Sequence, residues 1–248
     1  MLDTSSLIVV VTGAGSGIGR ALCVGLTSDG YQVVGIGRGG DALAATAALC
    51  HRDTFSWRCI DVADSNAVAA GFAAIEAESG PVYGLICGAA IYQRRYFLDL
   101  TAEEWTYEIL VNLCGPAYCC RALLPGMLER QAGRIVIVGS LADTSPIPAS
   151  SAYSTSKGGL HALVRALVSE IDRARYPNVL INELLPGETR TAMSDVGHPP
   201  SAVYPFAKRL IEMSAGEPTG RIFALDREIF LDERLKARLL RMLFGFMR

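Results

Sequence analysis

Short apolar runs alternate with stretches of helical periodicity along this chain. Residues 7–11, 33–36, 56–60, 85–87, 135–138, 179–184 and 221–225 have the length and composition of strands. Between them, residues 17–28, 43–49, 65–78, 101–114 (continuing to about 130) and 153–174 read as helices. Ser65 is a candidate N-cap, and Thr101 with Glu104 three residues on has the form of a capping box. Strand–helix alternation predicts an α/β fold: a doubly wound, Rossmann-like parallel sheet of about seven strands with helices on both faces. No Pro/Gly/Ser linker divides the chain, so one domain is expected over residues 1–248. Residues 187–219, with several prolines, interrupt the alternation, and 188–206 within them are expected to form a substrate lid. Residues 227–248 extend beyond the last strand as a helical tail, with Leu231, Leu235, Leu239, Met242, Leu243 and Phe246 on one stripe.

Composition narrows this picture. Half of the 248 residues are hydrophobic, which suits strands buried on both faces. The formal charge of −2 gives no electrostatic reason to expect nucleic acid as a partner. Seven cysteines without a C-x-x-C pair point to free thiols in a reducing, cytoplasmic setting. The run 7–11 is too short for a signal-peptide core or a membrane span. His161 and His198 have no partner pattern for metal binding and read as structural or surface residues, so no metal is expected.

Chemistry enters at two places. Thr12-Gly13-Ala14-Gly15-Ser16-Gly17-Ile18-Gly19 lies between the first strand and the first helix. Glycines there permit a sharp turn and close approach to a pyrophosphate, which the helix N-terminus attracts. Ser140 stands just past the fifth strand, at the sheet edge where such folds bind ligands. Thirteen residues later come Tyr153 and Lys157, four apart and so on one helix face. A neighbouring ammonium lowers the pKa of a phenol, normally about 10, and suits Tyr153 to acid–base work. Ser140 can orient a carbonyl oxygen. Spacing alone is weak evidence, because Tyr204 and Lys208 repeat it. That second pair contains Pro205 and lacks a strand with a terminal serine upstream, so it is read as a chance match.

Taken together, these motifs resemble the short-chain dehydrogenase/reductase family, in its single-domain form, over residues 7 to about 226. Matching features are the T-G-x-x-x-G-x-G turn, Asp61 after the third strand, Asn112, Ser140, Tyr153-x-x-x-Lys157, and Pro186-Gly187 with Thr191 downstream. The resemblance implies that Gly13, Ser16, Gly17, Ile18 and Gly19 cradle the cofactor. Asp61 would accept from the adenine amino group, with Val62 and Ala89 beside it. Asn112 would hold a water that links Lys157 to solvent, and Lys157 would also bind the nicotinamide ribose. Pro186, Gly187 and Thr191 would seat the nicotinamide. Three departures stand out: Cys87-Gly88-Ala89-Ala90 replaces the usual N-N-A-G, Leu225-Asp226-Arg227-Glu228 replaces the D-G-G close, and Glu188 and Arg190 put charges near the nicotinamide end.

The position of the acid that would bind an NAD ribose is held by Gly37, and Arg38 follows. Arginine pairs well with a 2′-phosphate, so NADP(H) is the expected cofactor. The expected activity is hydride transfer between NADP(H) and a small carbonyl/alcohol substrate. Ile91, Tyr92, Ile147, Pro148, Met193, Tyr204 and Phe206 are expected around the substrate, with Arg94, Arg95 and Arg190 available to an anion. Two other classes compete: a cofactor-binding regulatory protein with little turnover, and an isomerase or dehydratase with tightly held cofactor. A homodimer is expected through helices around 107–125 and 153–170, which are rich in small residues. The tail is expected to dock on a partner subunit, with an anionic membrane surface as the less favoured target.

Overall fold

The structure, a computed structural model, describes residues 4–229. Its centre is an eight-stranded sheet in the order β3-β2-β1-β4-β5-β6-β7-β8. The strands are β1 Ile8–Thr12, β2 Gln32–Gly37, β3 Phe55–Cys59, β4 Val82–Cys87, β5 Gly133–Val138, β6 Val179–Leu185, β7 Ile222–Ala224 and β8 Arg227–Ile229. Strands β1 to β7 are parallel. Every residue of β1, β5 and β6 is buried, as a sheet covered on both faces requires. The seven expected strands are all present. The eighth, β8, pairs antiparallel with β7 after a tight turn, and so corrects the expectation that the helical tail begins at 227. The rest of the expected tail, from 230 on, lies outside the described residues.

Helices α1 Gly17–Ser28, α2 Gly40–Ala47 and α7 Tyr204–Ile211 cover one face, where Leu22, Leu26, Leu43, Leu210 and Ile211 pack on Val9, Val11 and Val136. Helices α3 Ser65–Ser79, α4 Ala102–Ile109, α5 Gly115–Glu129 and α6 Ser151–Ser169 belong to the other, where Phe72, Leu123, Met127 and Leu160 pack on Val10, Leu85 and Ile135. Residues Ala102–Glu129 are long and apolar enough, by length and composition, to cross a bilayer. Val111, Cys119, Leu123 and Met127 of that stretch pack in the core against the sheet.

The Thr101–Glu104 capping box forms as expected. The cap of α3 is Asp64 rather than Ser65, because the Asp64 carboxylate reaches the amides of Asn66 and Ala67. Helix α6 begins at Ser151 and stops at Ser169, short of the expected 174. Between α4 and α5 the chain widens into a π-helical segment, Leu110–Cys114, which holds Asn112. Pro116 supplies no N–H to the Asn112 carbonyl four residues back, so the α ladder cannot run through this point. Some of the small residues assigned to a dimer face serve the chain's own packing. A Cβ at Gly159 would meet Leu113 at 2.7 Å, and one at Gly115 would meet Val62 at 2.9 Å.

Candidate cofactor and catalytic site

Strand order reverses between β1 and β4, and the crevice at their carboxyl ends is where an open α/β sheet takes a ligand. The glycine turn crosses this point. Gly13 has φ +75°, and a Cβ there would lie 2.8 Å from the backbone of Gly88 and Ala89. A Cβ at Gly19 would lie 2.2 Å from the Gly13 carbonyl oxygen. The turn therefore needs glycine for backbone conformation at one position and for packing at the other. Ser16 caps α1 without a side-chain hydrogen bond, so the first amides of the helix face the crevice with no internal partner. The departure at Cys87-Gly88-Ala89-Ala90 is met from the other side. The Thr12 hydroxyl accepts from the amides of Gly88 and Ala89, at 3.1 and 3.2 Å, and ties β1 to β4.

A cavity of about 260 Å³ opens over this turn, lined among others by Gly37, Arg38, Asp61, Val62 and Ala89. Its residues fit the adenosine end of a dinucleotide: a glycine cradle, a helix N-terminus, an acid and an exposed arginine. Asp61 accepts from the Ala63 amide at 3.0 Å and from the Tyr107 hydroxyl at 3.0 Å. Arg38 donates to the same hydroxyl. Tyr107 thus bridges the two groups, a link that its sequence position on α4 did not reveal.

A second, larger cleft of about 550 Å³ continues from the turn to the far side of the crevice. Gly17, Ser140, Tyr153, Lys157, Pro186 and Thr191 all line it. The Thr191 methyl lies 3.2 Å from where a Gly17 Cβ would stand, so the segment after β6 closes over the glycine turn. Arg94 donates to the Met193 carbonyl and joins the loop after β4 to that segment. Arg95 pairs with Glu104 at 3.4 Å. Both arginines are therefore engaged within the chain, and Arg94 also lines the cleft. Tyr204 is displaced from its expected place at the substrate. It packs on Gly25 of α1 and donates to Asp29. Met193 and Ile147 do line the cleft.

Tyr153 stacks on Tyr92, with ring centroids 4.8 Å apart. Burial pushes its phenol above the usual value, and a hydrogen bond with Ser140 pulls it back only in part. This corrects the expectation of a lowered phenol. Lys157 does not aim at the phenol. Its Nζ donates to the Val138 carbonyl at 2.9 Å and lies 5.6 Å from the Tyr153 ring centroid. Burial brings the ammonium down to about 8, against the opposing pull of Glu183. Asn112 is fully buried, accepts from the Ile91 amide at 2.8 Å, and donates to the Ile91 carbonyl and Ser156. It is thus packed beneath α6, where Ser156 adjoins Lys157.

Two buried acids near this centre were missed. Glu108 on α4 is 2% exposed, and burial raises its carboxyl. Glu183 lies inside β6 and pairs with His161. For Glu183 the available signals were a charged residue within a largely apolar strand and a histidine four residues after Lys157. His161 is buried, which selects the structural one of the two expected readings. His198 is half-buried, and its Nε2 lies 2.8 Å from the Pro186 carbonyl oxygen.

The short chain dehydrogenase family model matches residues 7–199. The chain is 31% identical to the mouse 3-oxoacyl-[acyl-carrier-protein] reductase over 187 residues, 75% of this chain and 77% of the relative. It is also 31% identical to the reductase MabA of Mycobacterium tuberculosis over 186 residues, 75% of this chain and 70% of that one. The crystal structure of levodione reductase superposes with a TM-score of 0.80 at 22% identity, over 88% of this chain and 95% of the other, a likeness of fold.

Proposed function

Because the chain belongs to the short-chain dehydrogenase/reductase family, whose members are NAD(P)-dependent oxidoreductases, we propose that it reduces a carbonyl group with NADPH, or runs the reverse oxidation. The observation that carries the reading is the convergence of Ser140, Tyr153 and Lys157 in one cleft continuous with the glycine turn. The bound cofactor supplies the hydride. Gly13, Ser16, Gly17, Ile18 and Gly19 hold its pyrophosphate, and Asp61, Val62 and Ala89 line the adenosine end. Pro186, Gly187 and Thr191 seat the nicotinamide, and Lys157 binds its ribose. Arg38, exposed at the rim, favours the 2′-phosphate of NADPH.

Ser140 donates a hydrogen bond to the carbonyl oxygen and fixes its orientation. Tyr153 gives that oxygen a proton as the carbon is reduced. A high phenol pKa suits a proton donor at neutral pH, and the charge of Lys157 makes the resulting phenolate tolerable. Asn112, at the break in the α ladder, supports the route by which the proton is replaced. The reading includes one catalytic domain, with residues 188–206 as the substrate lid and the helices around 107–125 and 153–170 as the subunit contact. Family members typically oligomerise.

NADPH absorbance against a panel of ketones, aldehydes and 3-oxoacyl thioesters tests the activity. Absence of oxidation with every member, in a protein that still binds NADPH, favours a regulatory binding protein instead. Cofactor choice is tested by titration. Arg38→Ala removes a charge-assisted contact worth about 1.5–3 kcal/mol, so NADPH affinity is expected to fall roughly ten- to a hundredfold while NADH affinity holds. Tighter binding of NADH than NADPH by the wild type, at matched salt, sinks the assignment.

A further inference from the structure

Strand β6 is fully buried, yet it carries two adjacent polar residues, Asn182 and Glu183. Asn182 is accounted for by its bonds to the Pro218 carbonyl at 2.8 Å and from the Arg221 amide at 3.0 Å. Glu183 has no exposed surface and no place in the chemistry above. An unpaired carboxylate at such a site costs several kcal/mol, so its partners matter. His161 of α6 meets its Oε2 through Nδ1 at 2.5 Å. The other ring nitrogen, Nε2, lies 3.1 Å from Oδ2 of Asp143, which sits in the loop after β5 with its side chain 18% exposed. Glu183 Oε1 faces the backbone of Gly139, where a Cβ would stand 1.8 Å away. One residue earlier, the Val138 carbonyl holds the Lys157 ammonium. The carboxylate and the ammonium therefore bear on adjacent residues at the end of β5.

We propose that Glu183, paired with His161, whose other ring nitrogen faces Asp143, is the buried counter-charge that keeps Lys157 in its ammonium form beside Tyr153, and so is a positioning residue for proton transfer.

The proposal rests on the reading of Tyr153 and Lys157 given above. Two carboxylates, one imidazole and one ammonium are electrically balanced when His161 and Lys157 are both protonated. The remaining neighbours do not alter that sum. From β4, Lys157 is faced by Cys87, a thiol kept neutral by hydrogen bonds with Cys119 and Cys120 and by burial. Burial opposes the charge on Lys157 and on His161. Glu183 opposes that effect at both, and Asp143 adds to it at His161, whose pKa ends above its ordinary value. The Glu183 carboxyl is itself raised by burial, drawn back by His161 and Lys157, and pushed up again by the like charge of Asp143. Stability alone is a poor account of the cluster. His161 Nε2, Asp143 Oδ1 and Glu183 Oε1 are buried without a hydrogen-bond partner, and apolar residues commonly replace buried ion pairs at no loss.

The chain has three lysines, Lys157, Lys208 and Lys236, so lysine labelled with ¹³C at Cε gives three resonances to titrate by NMR. Lys157, assigned from its loss in Lys157→Met, is expected to titrate near 8. Glu183→Gln keeps the shape and removes the charge. It should move that midpoint at least about one pH unit lower, and the alkaline limb of carbonyl reduction should move with it. Glu183→Asp should restore most of the difference. A purely structural Glu183 lowers the melting temperature and leaves the midpoint in place, which overturns the proposal. If Glu183→Gln does not fold, ¹⁵N-histidine NMR of Lys157→Met gives the reciprocal test. Removal of the ammonium should let the His161–Glu183 pair hold its proton to higher pH, and an unmoved titration again overturns the proposal. The lysine midpoint is read without turnover. Normal turnover in Tyr153→Phe therefore defeats the catalytic reading, whereas a dead Tyr153→Phe with an unmoved midpoint defeats only the role of Glu183.

Discussion

Two Tyr-x-x-x-Lys pairs sit on two helices of this protein, and only one lines the cleft that continues from the glycine turn. In both, the four-residue step brings phenol and ammonium to one helix face. On α6, Lys157 is 4% exposed and bonds a backbone carbonyl at the end of β5. On α7, the Lys208 side chain is 32% exposed and pairs with Asp29 and Glu212. Burial lowers Lys157, whereas the Asp29 hydrogen bond raises Lys208. Both phenols are raised mainly by burial. The next cause differs: Tyr153 is drawn back down by Ser140, whereas Tyr204 is pushed further up by Asp29. The same local spacing yields a pair that lines the cleft, which we propose for proton transfer, and a clasp between α7 and the end of α1.

The largest expected effect separates the two tyrosines. Tyr153→Phe keeps the ring and deletes the hydroxyl. Turnover should fall at least about a hundredfold, the lower end of what general acid–base catalysis supplies, while cofactor still binds. Tyr204→Phe should leave the chemical step nearly unchanged. Equal losses in steady-state assays of the two variants would erase the distinction.

A second contrast is thermodynamic. The folded pKa of Lys157, about 8, lies below its ordinary 10.5. Between those values the unfolded chain holds a proton that the native state has released, so this group's contribution to stability rises with pH. Denaturant unfolding of wild type against Lys157→Met should show the difference growing in favour of wild type from pH 8 to 10.5, by an amount on the order of 3 kcal/mol at most. Lys208 behaves oppositely. Its pKa is raised, so its contribution is complete below 10.5 and is lost as pH climbs through the folded value. The same pH trend in Lys157→Met as in wild type would show that burial of this lysine does not set it.

The smallest effect belongs to the surface clasp. Asp29 is held below its ordinary 3.8, first by its hydrogen bond from Lys208 and then by that from Tyr204. Its contribution is present above that value and is lost as pH falls through the folded one. Because the pair is partly exposed and screened, Asp29→Asn should cost less than about 1 kcal/mol at neutral pH, and still less in high salt. Chemical denaturation at two ionic strengths measures this. A cost of several kcal/mol would mark the clasp as a structural anchor.

The sequence by itself determined the sheet, its parallel winding, the glycine turn, and the order of Ser140, Tyr153 and Lys157 along the chain. These follow from periodicities of two and 3.6 and from backbone demands at single positions, which are local and therefore legible. It was also enough to suspect the second Tyr-x-x-x-Lys pair, through Pro205 and the absence of an upstream strand. Only the tertiary structure decided what lies around each side chain. It set the direction of the Tyr153 shift, turned Lys157 onto Val138, bridged Arg38 to Asp61 through Tyr107, and removed Tyr204 from the substrate cleft. It also brought Asp143, His161 and Glu183 together from a loop, a helix and a strand. The pKa of a buried group depends on the solvent it has lost and on the charges that face it across the fold. Neighbours 22 residues apart, such as His161 and Glu183, leave no periodic trace in the chain.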